Sequence, residues 1–173
     1  VLHKTEIGGV RTGIESENDL RGAFAEIAGV AEAAPEAGFT GVLVEEQVPP
    51  GVEVIVGLQN DPHFGPVLMV GTGGIYTDLL NDVTFRMLPV SRADVSSMLL
   101  ELEGHALLKG FRGAQPADVK GLVRAVLGLA RFGSEIAPCF ESADFNPVIA
   151  TPRGAYAVDA KVVLAPRERP APF

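Results

Sequence analysis

Residues 52–71 constrain the fold more than any other stretch of the chain. Val52 to Leu58 alternates, with Glu53 set among valines, and Pro66 to Gly71 is short and wholly apolar. Asn60-Asp61-Pro62 between them is turn chemistry, so the pair predicts an antiparallel hairpin. Upstream, Ser16 followed by Glu17, Asn18 and Asp19 has the form of an N-cap with an acidic first turn. Leu20, Phe24, Ile27 and Ala28 then recur at helical spacing, predicting a helix over about 17–34 that Pro35 and Gly38 end. Thr40 to Val48 is an apolar stretch with β-branched residues that changes to Glu45-Glu46-Gln47, which predicts a strand followed by a hinge or turn at Pro49-Pro50-Gly51.

Downstream, Ser91 is placed to cap a helix carrying Val95, Met98, Leu99 and Leu102. Pro116 and Asp118 open a third helix, amphipathic through Val119, Leu122, Val126 and Leu129. Asn146 to Ala150 and Ala155 to Leu164 are expected as two strands joined by the tight turn Thr151-Pro152-Arg153-Gly154. Strands interspersed with helices predict an α+β fold with mostly antiparallel neighbours. No internal repeat is present.

With 47% hydrophobic and 21% charged residues, the 173-residue chain can bury the core of one domain, or of two small subdomains. The net charge is −8 and the 14 Lys and Arg residues are scattered, so no basic face is offered to nucleic acid. No apolar run approaches the roughly 20 residues of a membrane span, and Val1 to Gly9 lack the order of a secretory signal. A cytoplasmic protein is expected, binding neither membrane nor nucleic acid. The single Cys139 excludes an internal disulfide and makes a poor zinc ligand; a buried structural thiol is expected. The chain opens at Val1, without an initiator Met, in what resembles a strand running into a loop, so further residues are expected before it.

Four clusters could carry chemistry. In His3-Lys4-Thr5-Glu6-Ile7-Gly8-Gly9-Val10 a basic pair precedes a glycine pair, which suits close backbone approach to a phosphate. The ordinary alternative is a turn between strands. Gly71-Thr72-Gly73-Gly74, followed by Asp78 and Asp82, has the spacing of neither the P-loop nor the dinucleotide fingerprint, and a structural turn competes with a phosphate loop there. Asp144, Asn146 and Asp159 lie in or beside the last two strands. A carboxylate within the apolar run Tyr156-Ala157-Val158-Asp159-Ala160-Lys161 calls for a partner, either Mg²⁺ or a cation such as Lys161. Glu45-Glu46-Gln47-Val48 with Glu53 could accept from an exocyclic amine or a ribose hydroxyl, or be solvated at a turn.

Taken in order, these clusters resemble the ATP-grasp domain of ADP-forming acyl-CoA synthetases, the group that includes acetate–CoA ligases and is related to the succinyl-CoA synthetase β chain. The resemblance also runs through Val42-Leu43-Val44-Glu45, Gly51 to Gly57, Asp61-Pro62-His63-Phe64-Gly65-Pro66 and Ile75-Tyr76. It continues through Asn81-Asp82-Val83, Gly110-Phe111-Arg112-Gly113, Asp144-Phe145-Asn146-Pro147 and Val158 to Lys161, covering residues 1 to about 164. It implies residues 1–48 as the remainder of an N-terminal ATP-grasp subdomain, 49–165 as the C-terminal subdomain and 166–173 as a tail or linker.

The resemblance further implies a site for ATP or ADP. Phosphates would lie under the loop holding Lys4, Thr5, Gly8 and Gly9, the base at a hinge near Glu45 and Val48, and the ribose at Glu53. Mg²⁺ would be held by Asn146 and Asp159 with Asp144, and Gly73, Gly74 and Arg112 would form a phosphate or structural loop. His3 is the implied phosphoryl-carrying histidine. CoA-binding and ligase domains or a subunit are the implied partners, in a homo- or hetero-oligomer. Three departures stand out: Asp78 replaces the family's usual Glu, Ser142 replaces an acidic residue, and the family's lysine-bearing strand before the His–Lys loop is absent. This chain alone is not expected to complete the reaction. The competing reading is a non-catalytic sensory or assembly domain of a multidomain protein.

Overall fold

The hairpin forms where the alternation places it. β1 (Val52–Asp61) pairs antiparallel with β2 (Gly65–Thr72), from Val54↔Thr72 to Asp61↔Gly65. Asp61 Oδ1 accepts from the His63 and Phe64 amides at 2.8 and 2.9 Å, an Asx turn that closes the hairpin. The computed structural model describes residues 8–32, 39–74, 81–111 and 113–165. These divide into two compact units, Val1–Gln47 and Val48–Phe173.

In the first unit α1 (Glu17–Glu32) follows a Ser16 cap, with Asp19 N donating to Ser16 Oγ at 3.2 Å. The expected strand over Thr40 to Val48 does not form. An extended segment becomes a strand only through a backbone ladder, and the contact here is made by a side chain instead: Gly13 N donates to Gln47 Oε1 at 2.7 Å.

In the second unit, β3 (Val83–Met87) joins the free side of β2, and the long β4 (Phe140–Thr151) joins the free side of β1. β4 also pairs with β5 (Gly154–Ala157) near its end and with β6 (Ala160–Leu164) near its start. Every pairing is antiparallel, and among the described residues the strands make one six-stranded sheet in the order β3-β2-β1-β4-β5. One sheet face is covered by α2 (Arg92–Glu101) and α4 (Val119–Ile136), with the short α3 (His105–Leu108) between them in sequence. Val54, Val56, Leu58, Leu68 and Val70 from the sheet meet Val95, Met98, Leu122 and Val126 from the helices in a continuous apolar core. Phe145 meets Phe132 edge-on, ring centroids 6.3 Å apart.

α2 starts where Ser91 directs it. Asp94 N donates to Ser91 Oγ at 3.2 Å and Ser91 N donates to Asp94 Oδ2 at 2.7 Å, a reciprocal capping box. Those bonds also hold the Asp94 carboxyl below the usual carboxylate range. Ser91→Ala is expected to cost about 1 kcal/mol, read as a lower urea midpoint with an unchanged m-value.

Candidate functional site

In an antiparallel pair, residues directly opposite each other project to the same face. Val54, Val56 and Leu58 point into the core, so Glu53, Gly57 and Gln59 project to the opposite face, the one that α2 and α4 leave open. Their β4 partners are Ile149, Asp144 and Ser142 respectively. Beyond them, Asp144 opposes Lys161 of β6 and Ile149 opposes Tyr156 of β5. Glu53, Asp144, Ser142, Lys161 and Tyr156 therefore share the open face. Asp144 and Asn146 alternate with buried Ala143 and Phe145, which puts Asn146 there too. The register shift opposite Ile55 gives β4 an extra residue, so that Phe145 and Val148 both still reach the core.

Glu53 meets the glycine turn at the end of β2. Gly73 N donates to the Glu53 carbonyl at 2.8 Å, and a Cβ on Gly73 would stand 2.7 Å from Glu53 Cβ. Only glycine allows this approach. Gly74, with φ +74°, brings the next backbone unit to the Glu53 carboxyl: a Cβ on it would lie 3.4 Å from Oε2. Glu53 and the Gly73-Gly74 pair, which fall in separate clusters of the sequence, thus form one surface.

The acidic group is equally local. The Asp144 carboxyl has its pKa raised above the ordinary carboxylate value, first by desolvation against the sheet; Lys161 opposes this and the Asp159 charge adds to it. Asp159, between β5 and β6, is exposed; its Oδ1 accepts from Ala160 N at 2.9 Å, and among the described residues it makes no ion pair. Lys161 stands opposite Asp144 rather than pairing with Asp159. Asp144 and Asp159, which sense each other's charge, and Asn146 two positions along β4 carry the hard oxygen donors that would suit Mg²⁺, which takes one or two carboxylates and keeps water and phosphate oxygens elsewhere. Among the described residues no group of three or more His, Cys, Asp or Glu side chains is placed to hold a metal ion.

A carboxyl whose folded pKa lies above its unfolded one holds its proton more tightly in the fold. Its contribution to stability is then greatest below the unfolded pKa and is lost as pH rises through the folded pKa. Asp144→Asn is therefore expected to raise the thermal midpoint at pH 7 relative to the parent. The gain should vanish near pH 3, as calorimetry across that range would show.

Gly8 takes φ +75°, and Arg11 folds back over it, donating from Nη1 to the Val10 carbonyl at 3.2 Å and from Nε to Glu26 Oε2 at 2.6 Å. Gly9 and Glu45 line one groove of about 620 Å³ in the first unit, together with Ile27 and Val30 of α1. Val48 is half-buried at the start of the second unit. His3, Lys4, Thr5, Asp78 and Arg112 lie outside the described residues. Cys139, expected to be buried, is exposed, because it ends the 3₁₀ turn Ala137–Cys139 on the way into β4.

Residues 1–164 match the family model described as the ATP-grasp domain. The chain belongs to the ATP-grasp family. It is 36% identical over 165 residues to the β subunit of ADP-forming acetate–CoA ligase I of Pyrococcus furiosus, with 95% of this chain and 71% of that subunit aligned. Over 165 residues it is 39% identical to ADP-forming acetate–CoA ligase I of Archaeoglobus fulgidus, of which it spans 24%. The chain thus corresponds to about a quarter of that longer relative. Among solved structures, acetyl-coenzyme A synthetase 1 of Ca. Korarchaeum cryptofilum, in complex with coenzyme A and Ca-AMPCP, superposes with a TM-score of 0.88 at 42% identity, covering 95% of this chain and 72% of that one. A second structure of that synthetase, in complex with coenzyme A and Mg-AMPPCP, has its phosphohistidine segment pointing towards the nucleotide binding site; it matches with a TM-score of 0.82 at 40% identity. The α+β sheet described above is accordingly an ATP-grasp fold, from a branch of the family whose relatives are ADP-forming synthetases.

Within this ATP-grasp domain some site-forming residues were not singled out from sequence. The Arg11–Glu26 bond joins positions 15 apart. The sequence offers Lys161 as a partner of Asp159, whereas the β4–β6 register sets it opposite Asp144. Asp82 follows a glycine turn and lies in the Asn81-Asp82-Val83 stretch of the resemblance, but nothing in the sequence marks it as buried and bonded through both carboxylate oxygens.

Proposed function

We propose that this chain is the nucleotide-handling module of an ADP-forming acyl-CoA synthetase, converting acyl-CoA, ADP and phosphate to carboxylic acid, CoA and ATP through a phosphohistidine. The observation that carries this is the open sheet face, where Glu53 and its glycine turn share one surface with Asp144 and Asn146. A nucleotide needs both ends of such a surface: acceptors for ribose hydroxyls and oxygen ligands for a phosphate-bound cation. Glu53 takes the ribose, Glu45 and Val48 the base, and Lys4, Thr5, Gly8 and Gly9 the phosphates. Gly73, Gly74 and Arg112 support the loop beside them. Asn146, Asp144 and Asp159 hold Mg²⁺, which when bound screens the phosphate oxygens.

His3 carries the phosphoryl group. In the ATP-forming direction an oxygen of the ADP β-phosphate attacks the phosphorus of phosphohistidine, the P–N bond breaks, and the imidazole leaves. The module's task is to align attacking oxygen and phosphorus and to exclude water from them. CoA-binding and ligase domains, or a separate subunit, supply acyl and CoA chemistry in an oligomeric, cytoplasmic enzyme. The test is ATP formation by the full-length protein from ADP, phosphate and a panel of acyl-CoA thioesters. Matched release of CoA and ATP with at least one thioester is expected; no ATP with any of them would overturn the proposal.

A further inference from the structure

Asp82 is 8% exposed, and its side chain serves no other described part of the site. Oδ1 accepts from Glu103 N at 2.8 Å and Oδ2 from Gly104 N at 2.9 Å, while its own carbonyl accepts from Thr72 N at 3.1 Å. Three chain segments converge there: the end of β2, the approach to β3, and the loop between α2 and α3.

The surroundings are built to that convergence. Asn81, immediately before, takes φ +47°, unusual for a residue with a side chain, and its carbonyl accepts from Val83 N at 2.9 Å. This reversal turns Asp82 inward. Gly104 has no room for a side chain: a Cβ would lie 2.4 Å from Thr72 Cγ2 and 3.3 Å from Asp82 Oδ2. Burying a carboxyl among aliphatic neighbours is unfavourable unless its oxygens are bonded, and a plain loop crossing could be packed with apolar residues instead. What the arrangement secures is the position of Thr72, the residue before Gly73, whose N–H meets the Glu53 carbonyl.

We infer that Asp82 is a positioning residue: by clasping Glu103 and Gly104 and anchoring Thr72, it fixes the Gly71–Gly74 turn against Glu53 and so sets the nucleotide surface of the open face. The inference rests on the nucleotide reading above for its functional half, and on the hydrogen bonds alone for its structural half.

Two measurements separate these halves. In the 173-residue chain, Asp82→Asn replaces one acceptor oxygen with an NH₂ that faces a backbone N–H. Amide exchange at Thr72 and Gly73 should then accelerate while β1 and β4 amides keep their protection. Gly104→Ala, which pushes on Thr72 from the other side, should reproduce that pattern. In the full-length protein, Asp82→Asn should raise the KM for ADP roughly tenfold to a hundredfold, the scale of a small displacement at a site, and leave the KM for acyl-CoA unchanged. The inference is overturned if Thr72 and Gly73 exchange as in the parent, if protection falls uniformly across the sheet, or if the turn loosens and the KM for ADP stays the same. If the parent itself binds no ADP, the proposed function fails, and selective loosening of the turn still upholds Asp82 as its clasp.

Discussion

His3→Ala is expected to reduce acid-labile phosphorylation of this module to background while sparing ADP binding. A neutral imidazole is a good nucleophile near pH 7, and the phosphoramidate that it forms is hydrolysed in acid but not in base. Base and ribose contacts assigned to Glu45, Val48 and Glu53 do not involve the imidazole, so affinity for ADP should persist. The measurement is labelling of the full-length protein with γ-labelled ATP, followed by proteolysis and acid or base treatment of the fragments. Acid-labile label persisting on residues 1–164 of the alanine variant would remove His3 from the reaction.

Asp159→Asn is expected to weaken Mg²⁺-dependent ADP binding by roughly 100-fold, the upper scale seen when a group in or next to a metal's shell is lost. The fold should be indifferent to the change. Asp159 is exposed, and its one hydrogen bond, to the neighbouring Ala160 amide, can be made by an Asn carbonyl oxygen. A stability change within about 0.5 kcal/mol is therefore expected. Binding of ADP without Mg²⁺ should be the same for both proteins, which isolates the metal from the nucleotide. Equal Mg²⁺ enhancement in variant and parent would end the assignment of Asp159 as a ligand. The Asp144→Asn variant offers a contrast, since relieving the desolvated carboxyl should stabilise the fold at neutral pH while removing a metal ligand.

What could be read from sequence was local. The β1–β2 hairpin, the Ser91 cap and the apolar stripe of α4 each depend on residues within a few positions of one another, and each appears where the pattern put it. β3 was not foreseen, because Val83–Met87 is five residues long and is a strand by virtue of its ladder to β2. β4 begins at Phe140, six residues before the expected Asn146, since Glu141, Ser142 and Asp144 interrupt the apolar run on the open face while Phe140, Ala143 and Phe145 keep the buried face intact. The last strand was expected to run unbroken from Ala155 to Leu164, but Val158 and Asp159 divide it into β5 and β6, which share one side of β4.

For the site, the colinear clusters conveyed the family, and the family match over residues 1–164 agrees. Registers are a different matter. That Asp144 faces Lys161, or that Asp82 fastens Thr72 to Gly104, follows from how distant segments meet, and no periodicity in 173 residues encodes it.

Isothermal titration of ADP into the full-length protein, with and without Mg²⁺, tests the central claim most directly. Saturable binding that strengthens at least tenfold with Mg²⁺, a difference of about 1.4 kcal/mol, is the predicted result. Absence of ADP binding under both conditions would contradict the claim and leave this ATP-grasp domain a structural or sensory part of its protein.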